Sequence, residues 1–178
     1  GGSALFGRLV AEPTPSLVDL SISVLHEPRW LPRVAVGPGD VAEVGADSPW
    51  GVPALRERVA ADLTADGLAT RPDQVVITTG AQQGISIAIG CWVRPGDVVV
   101  VDDPTYPGVL SALAAAGAVP RPVPVDRVGV VLAALDAALA ERPALVYLQS
   151  GPHSPTGGRL SAHRRQVVAG WLAERRIP

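Results

Sequence analysis

Short apolar runs, each ending at Gly, Pro or polar residues, dominate the pattern of the chain from about residue 47 onwards. Three of these runs predict buried strands because they are rich in Val, Ile, Leu and Thr: Val75–Thr79, Val98–Val101 and Ala144–Leu148. A fourth run, Val119–Val125, has proline at every second position, which is typical of an edge strand.

Apolar residues at helical spacing lie between these runs. Leu55, Val59 and Leu63 predict a helix that Pro53 begins and Gly67 stops. Further helices are predicted over 81–92, 109–116 and 130–140, and after an N-cap at Ser161. Because strand and helix alternate, we predict an α/β fold with a doubly wound, mostly parallel sheet.

The first 46 residues are rich in proline and irregular, so we expect an N-terminal arm over 1–46 and one domain over 47–178. The chain has 178 residues, of which 47% are hydrophobic, and a net charge of −2. This composition is that of a globular protein and gives no support for a nucleic-acid or membrane partner. A single cysteine, Cys91, fits a cytoplasmic location.

All 15 basic residues are arginine. The chain therefore cannot form a lysine Schiff base.

Ligands of doubly wound sheets bind outside the carboxyl ends of the strands. Three loops rich in Gly, Pro and polar residues are predicted to lie there: Gly80–Gly84, Asp102–Gly108 and Ser150–Gly158. The first is a strand-to-helix turn, and a helix N-terminus directs backbone N–H groups and a positive dipole end at one spot. It is either an ordinary joint between two elements or a phosphate site.

Two phosphate ligands are candidates for this turn. A dinucleotide needs G-x-G-x-x-G followed by an acidic residue about 20 positions later. Asp102 is suitably placed for that acid, but the turn reads Gly80-Ala81-Gln82-Gln83-Gly84 and lacks the first pair of glycines. A dinucleotide is therefore the less favoured ligand.

The second candidate ligand comes from a resemblance that covers about Asp47 to Pro178. Five motifs carry it, in order: Gly51-Val52-Pro53-Ala54-Leu55-Arg56, Thr79-Gly80-Ala81-Gln82-Gln83, Arg94-Pro95-Gly96-Asp97, Asp103-Pro104-Thr105-Tyr106-Pro107-Gly108 and Pro152-His153-Ser154-Pro155-Thr156-Gly157. In these motifs the chain resembles the large domain of fold-type I enzymes that depend on pyridoxal 5′-phosphate (PLP), the class I/II aminotransferases. It resembles in particular the aminotransferase-like domain of MocR/GntR-type regulators.

The resemblance implies roles for individual residues. Gly80, Ala81 and Gln82 would hold the PLP phosphate, and Tyr106 would stack its ring on the pyridine. Ser154 stands where the family usually has an asparagine that hydrogen-bonds the phenolic oxygen of the cofactor, and a serine is shorter.

At two further positions the resemblance implies no cofactor-binding role for the residue in this chain. His153 is expected to be structural. Asp47 falls near the position where many relatives have a tyrosine that reaches the phosphate of a partner subunit, and a carboxylate there would repel that group.

The resemblance also places the pyridine-binding aspartate, the Schiff-base lysine and the substrate-binding arginine after Pro178. We therefore expect a partial large domain, truncated before the lysine and inactive alone, whose parent transaminates an amino acid. The alternatives are an effector-sensing domain of a MocR/GntR-type regulator and a catalytically dead scaffold. Expected partners are an amino acid or keto acid in the parent, and a second copy or the missing C-terminal half, with no nucleic acid or membrane contact through this chain.

Overall fold

The computed structural model describes residues 34, 35, 37 and 48–178. The predicted arm over 1–46 therefore lies outside the described residues, apart from three positions that belong to no helix or strand. The described chain falls into two compact units, one up to Gly84 and one from Ile85 to Pro178. Each unit is described by itself below.

The described part of the chain contains helices and strands in alternation. The helices are α1 (Pro53–Ala65), the short 3₁₀ helix Pro72–Gln74, α2 (Ala81–Trp92), α3 (Pro107–Ala115), α4 (Leu132–Leu139) and α5 (Ala162–Arg175). The strands are β1 (Val98–Asp103), β2 (Val119–Asp126), β3 (Gly129–Val130) and β4 (Leu145–Tyr147). No helix among these is long and apolar enough to cross a bilayer.

The unit from Ile85 to Pro178 is built on a four-stranded sheet in the order β3-β2-β1-β4. The central strand β1 is parallel to β2, with Val98 opposite Val119, and parallel to β4, with Val99 opposite Leu145. Only the two-residue β3 is antiparallel, to the end of β2. The predicted α/β fold with a mostly parallel sheet is confirmed.

Both faces of the sheet are buried, which explains why β1 is apolar almost throughout. Val99 and Val101 point to one face and pack with Ile89, Val109 and Leu113 of α2 and α3. The opposite face packs against α4 and α5 in a cluster that includes Val100, Val123, Leu135, Leu139 and Val168. Successive residues of a strand lie on opposite faces, so β1 contributes side chains to two separate hydrophobic cores.

Among the described residues, the proline-bearing strand β2 has no strand on its outer side over most of its length. Pro120, Pro122 and Pro124 lie opposite Val99, Val101 and Asp103 of β1, and β3 pairs only with Val125 and Asp126. Successive N–H groups of a strand point to opposite sides, so prolines at every second position place their missing donors on one side. Within the described part of the chain, the prediction of an edge strand is confirmed up to Val123, because the carbonyl of Pro124 accepts the N–H of Val131 (2.9 Å).

The unit that ends at Gly84 is organised by Arg56 of α1. Its Nε donates to the carbonyl of Val75 (2.9 Å) and its Nη2 to the carbonyl of Pro72 (2.6 Å). The backbone N–H of Ile77 donates to the carbonyl of Trp50 (2.9 Å). These bonds fix the segment that leads to Gly80 against α1 and the turn before it.

Two sequence predictions are wrong in detail. Val75–Thr79 is not a strand: Val75 has extended dihedral angles (φ −107°, ψ 128°), but no described strand pairs with the segment. An extended run becomes a strand only when a neighbour completes its ladder. The helix predicted over 130–140 begins at Leu132, because Val130 pairs with Val125 in β3.

Candidate functional site

The N-terminus of α2 is the first of the predicted site loops. The helix starts at Ala81, directly after Gly80. The φ angle of Gly80 is +143°, a backbone conformation that residues with a side chain rarely adopt. Among the described residues, nothing lies within 4 Å of a Cβ atom added at Gly80. These residues leave the space in front of the backbone open, so a ligand can approach it closely.

The first intrahelical hydrogen bonds of α2 are those of Gln83 N–H (3.1 Å) and Gly84 N–H (3.3 Å) to the carbonyl of Gly80. The helix itself therefore offers no acceptor to the N–H of Ala81. Together with the positive end of the helix dipole, this geometry suits an anion such as a phosphate.

Side chains around Gly80 hold the turn in shape. Gln83 Oε1 accepts hydrogen bonds from the N–H (2.7 Å) and the hydroxyl (3.0 Å) of Thr79. The hydroxyl of Thr78 donates to the carbonyl of Gly80 (3.0 Å). Sequence reasoning missed these roles of Thr78 and Gln83. The signal for them was a Thr and a Gln four positions apart across a helix start.

The other two predicted loops lie at the carboxyl edge of the sheet in the second unit. Tyr106 lies in the loop after β1 and is half-buried. Its carbonyl accepts the N–H of Val109 (3.2 Å) at the start of α3. Tyr147, in β4, lies within electrostatic range of it. Burial raises the pKa of Tyr147, and the charges of Asp102 and Tyr106 raise it further.

A buried pair, Asp102 and His153, lies at the same edge. Asp102 is 3% exposed and His153 is 6% exposed. Asp102 Oδ2 accepts the backbone N–H of Gln149 (2.7 Å) and lies 3.4 Å from His153 Nε2. Burial raises the pKa of the Asp102 carboxyl above its ordinary value, against the opposing effects of the Gln149 N–H and of His153.

The loop after β4 is closed by its own hydrogen bonds. His153 N–H donates to the carbonyl of Gly158 (2.8 Å), and Gly157 N–H donates to the carbonyl of His153 (2.6 Å). Ser154 is exposed, but its backbone is held by Gln149: Oε1 accepts the Ser154 N–H (3.0 Å) and Nε2 donates to the Ser154 carbonyl (3.3 Å).

The predicted site residues thus form two groups. Gly80, Ala81 and Gln82 are consecutive at the start of α2, in the first unit, and Tyr106 and Ser154 lie at the carboxyl edge of the sheet, in the second. Gly80 directly precedes the predicted helix, but the strand predicted before it is absent from the described residues.

Asp102 does not suit the role that a dinucleotide site would give it. Its carboxylate is buried and engaged by Gln149, so it is not presented to a ribose hydroxyl. Gln149 itself was missed by sequence reasoning. The available signal was a polar residue directly after a buried apolar run.

Known proteins that resemble this chain include solved aminotransferases. LysN, an α-aminoadipate aminotransferase from Thermus thermophilus solved as a complex with N-(5′-phosphopyridoxyl)-L-leucine, is 31% identical with a TM-score of 0.65. The alignment covers 73% of this chain and 33% of that one. The solved N-succinyldiaminopimelate aminotransferase of Mycobacterium tuberculosis is 30% identical, with a TM-score of 0.68 over 78% of this chain and 37% of that one.

Relatives in sequence include a regulator. YdcR, described as an uncharacterized HTH-type transcriptional regulator of Escherichia coli K12, is 29% identical over 177 residues, which is 93% of this chain and 37% of the relative. The chain thus spans little more than a third of the length of that protein. The sequence pattern of the family described as "Aminotransferase class I and II" matches residues 47–174. This chain therefore belongs to the class I and II aminotransferase family.

Proposed function

We propose that this chain binds PLP, the cofactor of its family, with the phosphate at Gly80, Ala81 and Gln82. The open space in front of Gly80 at the start of α2 is the observation that carries this proposal. A phosphate oxygen there would accept backbone N–H groups and meet the positive end of the helix dipole. The residues present therefore fit the group.

In this proposal Tyr106 faces the pyridine ring and Ser154 meets the phenolic oxygen. A half-buried tyrosine offers a flat surface for offset stacking without the cost of ordering a mobile side chain. Serine has one hydroxyl donor where an asparagine amide has two, so Ser154 supplies a single hydrogen bond.

The whole protein, in this proposal, transaminates an amino acid, with an amino acid or keto acid as its substrate and a second copy as its partner. PLP supplies an electron sink when it is bound. The 178 residues of this chain contain no lysine, so their contribution is to bind and orient the cofactor.

The proposal is tested by calorimetric titration with pyridoxamine 5′-phosphate and with pyridoxamine. The amine form avoids reaction of the PLP aldehyde with the chain's N-terminal amine. Two hydrogen bonds to a charged group, at about 1.5–3 kcal/mol each, correspond to at least roughly 100-fold tighter binding of the phosphorylated ligand. Equal affinity for the two ligands would contradict the phosphate site.

Two glycine variants locate the phosphate. Gly80 and Gly67 both have positive φ (+143° and +94°), and a Cβ at either would meet nothing within 4 Å. Both Gly80→Ala and Gly67→Ala strain the backbone. Only Gly80→Ala places a methyl group in the proposed phosphate site, so it alone is expected to weaken binding of pyridoxamine 5′-phosphate. An equal loss from Gly67→Ala would show that strain rather than contact is responsible.

A second candidate function is the effector-sensing domain of a MocR/GntR-type regulator. The extent of two of the alignments with regulators supports it, whereas the regulator TauR of Rhodobacter capsulatus aligns over 60% of this chain. YdcR and YjiR, both described as HTH-type transcriptional regulators of Escherichia coli K12, align over 93% and 94% of this chain. An LL-diaminopimelate aminotransferase and a 2-aminoadipate transaminase align over 60% and 64%.

The gene sequence upstream of the codon for Gly1 separates the two candidates. A winged-helix DNA-binding domain encoded in the same reading frame supports the regulator. A start codon close to Gly1, followed downstream by a lysine-bearing C-terminal half, supports the enzyme and contradicts the regulator.

A further inference from the structure

We propose that Gln149, Asp102 and His153 are positioning residues that set Ser154 against the phenolic oxygen of the cofactor, an inference that rests on the proposed function. None of the three is placed in contact with the cofactor. They act through the backbone of Ser154 and the loop that carries it.

Gln149 holds Ser154 at two points. Its side-chain Oε1 accepts a hydrogen bond from the Ser154 N–H (3.0 Å), and its Nε2 donates one to the Ser154 carbonyl (3.3 Å). Two bonds to one residue fix its orientation as well as its position. The Ser154 hydroxyl makes no hydrogen bond within the described part of the chain, so the clamp orders the backbone and leaves the hydroxyl available to a ligand.

Asp102 anchors the residue that makes this clamp. Its buried Oδ2 accepts the N–H of Gln149 (2.7 Å), across 47 positions of sequence. A buried carboxylate is costly unless it is paired and hydrogen-bonded. The same Oδ2 atom lies 3.4 Å from Nε2 of the buried His153, so Asp102 contacts both Gln149 and His153.

His153 links the anchor to the other side of Ser154. Gly158 N–H donates to Thr156 Oγ1 (3.3 Å), whose hydroxyl is 2.9 Å from His153 Nδ1. If Thr156 donates to Nδ1, the imidazole carries its proton on Nε2, which lies 3.4 Å from Asp102 Oδ2 in an electrostatic contact without a hydrogen bond. Ser154, next to His153, is held on both sides.

The test uses pyridoxamine 5′-phosphate and its 3-deoxy analogue, which lacks the phenolic oxygen. Gln149→Ala is expected to weaken binding of the first ligand by at least about tenfold, the lower limit for one hydrogen bond to a charged oxygen, and to leave binding of the analogue unchanged. In a Ser154→Ala background, Gln149→Ala should have no further effect. Gln166→Ala, on the exposed face of α5, is the matched control and should not change either affinity.

A loss of affinity for both ligands alike, or an additive loss in the double variant, would overturn the inference, because a merely structural role would produce that pattern. If the wild-type chain binds neither ligand, the proposed function fails and the inference falls with it. If the wild-type chain binds and Gln149→Ala binds equally well, only the inference fails.

Two measurements without ligand keep the inference testable if Gln149→Ala folds poorly. Asp102→Asn preserves an acceptor for the Gln149 N–H, so it should fold, but it removes the charge facing His153. The nitrogen-15 shifts of the imidazole are then expected to report a change of tautomer, and the Ser154 amide should exchange faster with solvent. An unchanged tautomer and unchanged exchange would overturn the roles given to Asp102 and His153.

Discussion

Gly51 and Gly67 have nearly the same backbone conformation but different surroundings. Their φ angles are +98° and +94°. A Cβ at Gly51 would overlap the Cβ of Ile77, lie 2.5 Å from its Cγ1 and 3.4 Å from its Cα, whereas a Cβ at Gly67 would meet nothing within 4 Å. The two glycines therefore separate backbone strain from steric overlap.

The expected magnitudes follow from this difference. Left-handed backbone costs a residue with a side chain about 1–2 kcal/mol, so Gly67→Ala should lower the free energy of unfolding by about that amount. Gly51→Ala carries the same strain and must also displace Ile77, and overpacking of this kind costs about 1–3 kcal/mol more. Its total is then about 2–5 kcal/mol.

Urea denaturation, followed by circular dichroism and by tryptophan fluorescence, measures both variants against the wild-type chain. The slope with urea should stay the same, so that the midpoints report stability. Equal destabilisation by the two substitutions would refute the close approach of Gly51 to Ile77. That contact matters to the site because the segment containing Ile77 leads to Gly80.

Two further predictions concern the second unit. Leu113 is 0% exposed, so Leu113→Ala should lower the free energy of unfolding by about 2–5 kcal/mol. Leu110 lies on the same helix but is 41% exposed, so Leu110→Ala should lower it much less. Calorimetric unfolding of the two variants tests the position of this core. The Arg164 guanidinium, with the Val128 N–H, holds the pKa of Asp126 below 3.8. A depressed carboxyl pKa stabilises the fold above the unfolded-state pKa, so Asp126→Asn should destabilise near neutral pH, and the difference should shrink as the pH falls below about 3.8; a difference independent of pH would contradict this.

The central strand β1 and the helices before and after it, α2 and α3, could be predicted from the sequence because local sequence patterns determine them. Four consecutive valines, 98–101, require burial on both faces, and the sheet provides it. Ser161 was identified as an N-cap from its type and place, and its hydroxyl accepts the N–H of Arg164 (3.3 Å).

The errors arose where tertiary pairing decides the outcome. Val75–Thr79 has the composition of a strand, yet among the described residues no strand lies beside it. The predicted helix over 130–140 includes Val130, but the pairing of Val130 with Val125 makes it part of β3. Composition describes what a segment tolerates, whereas a ladder depends on its neighbour.

In the candidate site, too, local features could be predicted from the sequence and tertiary contacts could not. Gly80 and Ala81 were predictable because a helix N-terminus after glycine is a local feature. The clamp of Gln149 on Ser154 depends on Asp102, which is distant in sequence and brought near by the parallel pairing of β1 with β4. Side-chain contacts of that kind leave no periodic signal.

The phosphate site at the start of α2 is tested most directly by nuclear magnetic resonance of the nitrogen-15-labelled chain during titration with pyridoxamine 5′-phosphate. We expect the amide signals of Gly80 and Ala81 to shift progressively and saturate, while that of Gly67 does not move. Pyridoxamine without the phosphate should leave all three amides where they were. Saturable binding that leaves Gly80 and Ala81 unshifted would contradict the account.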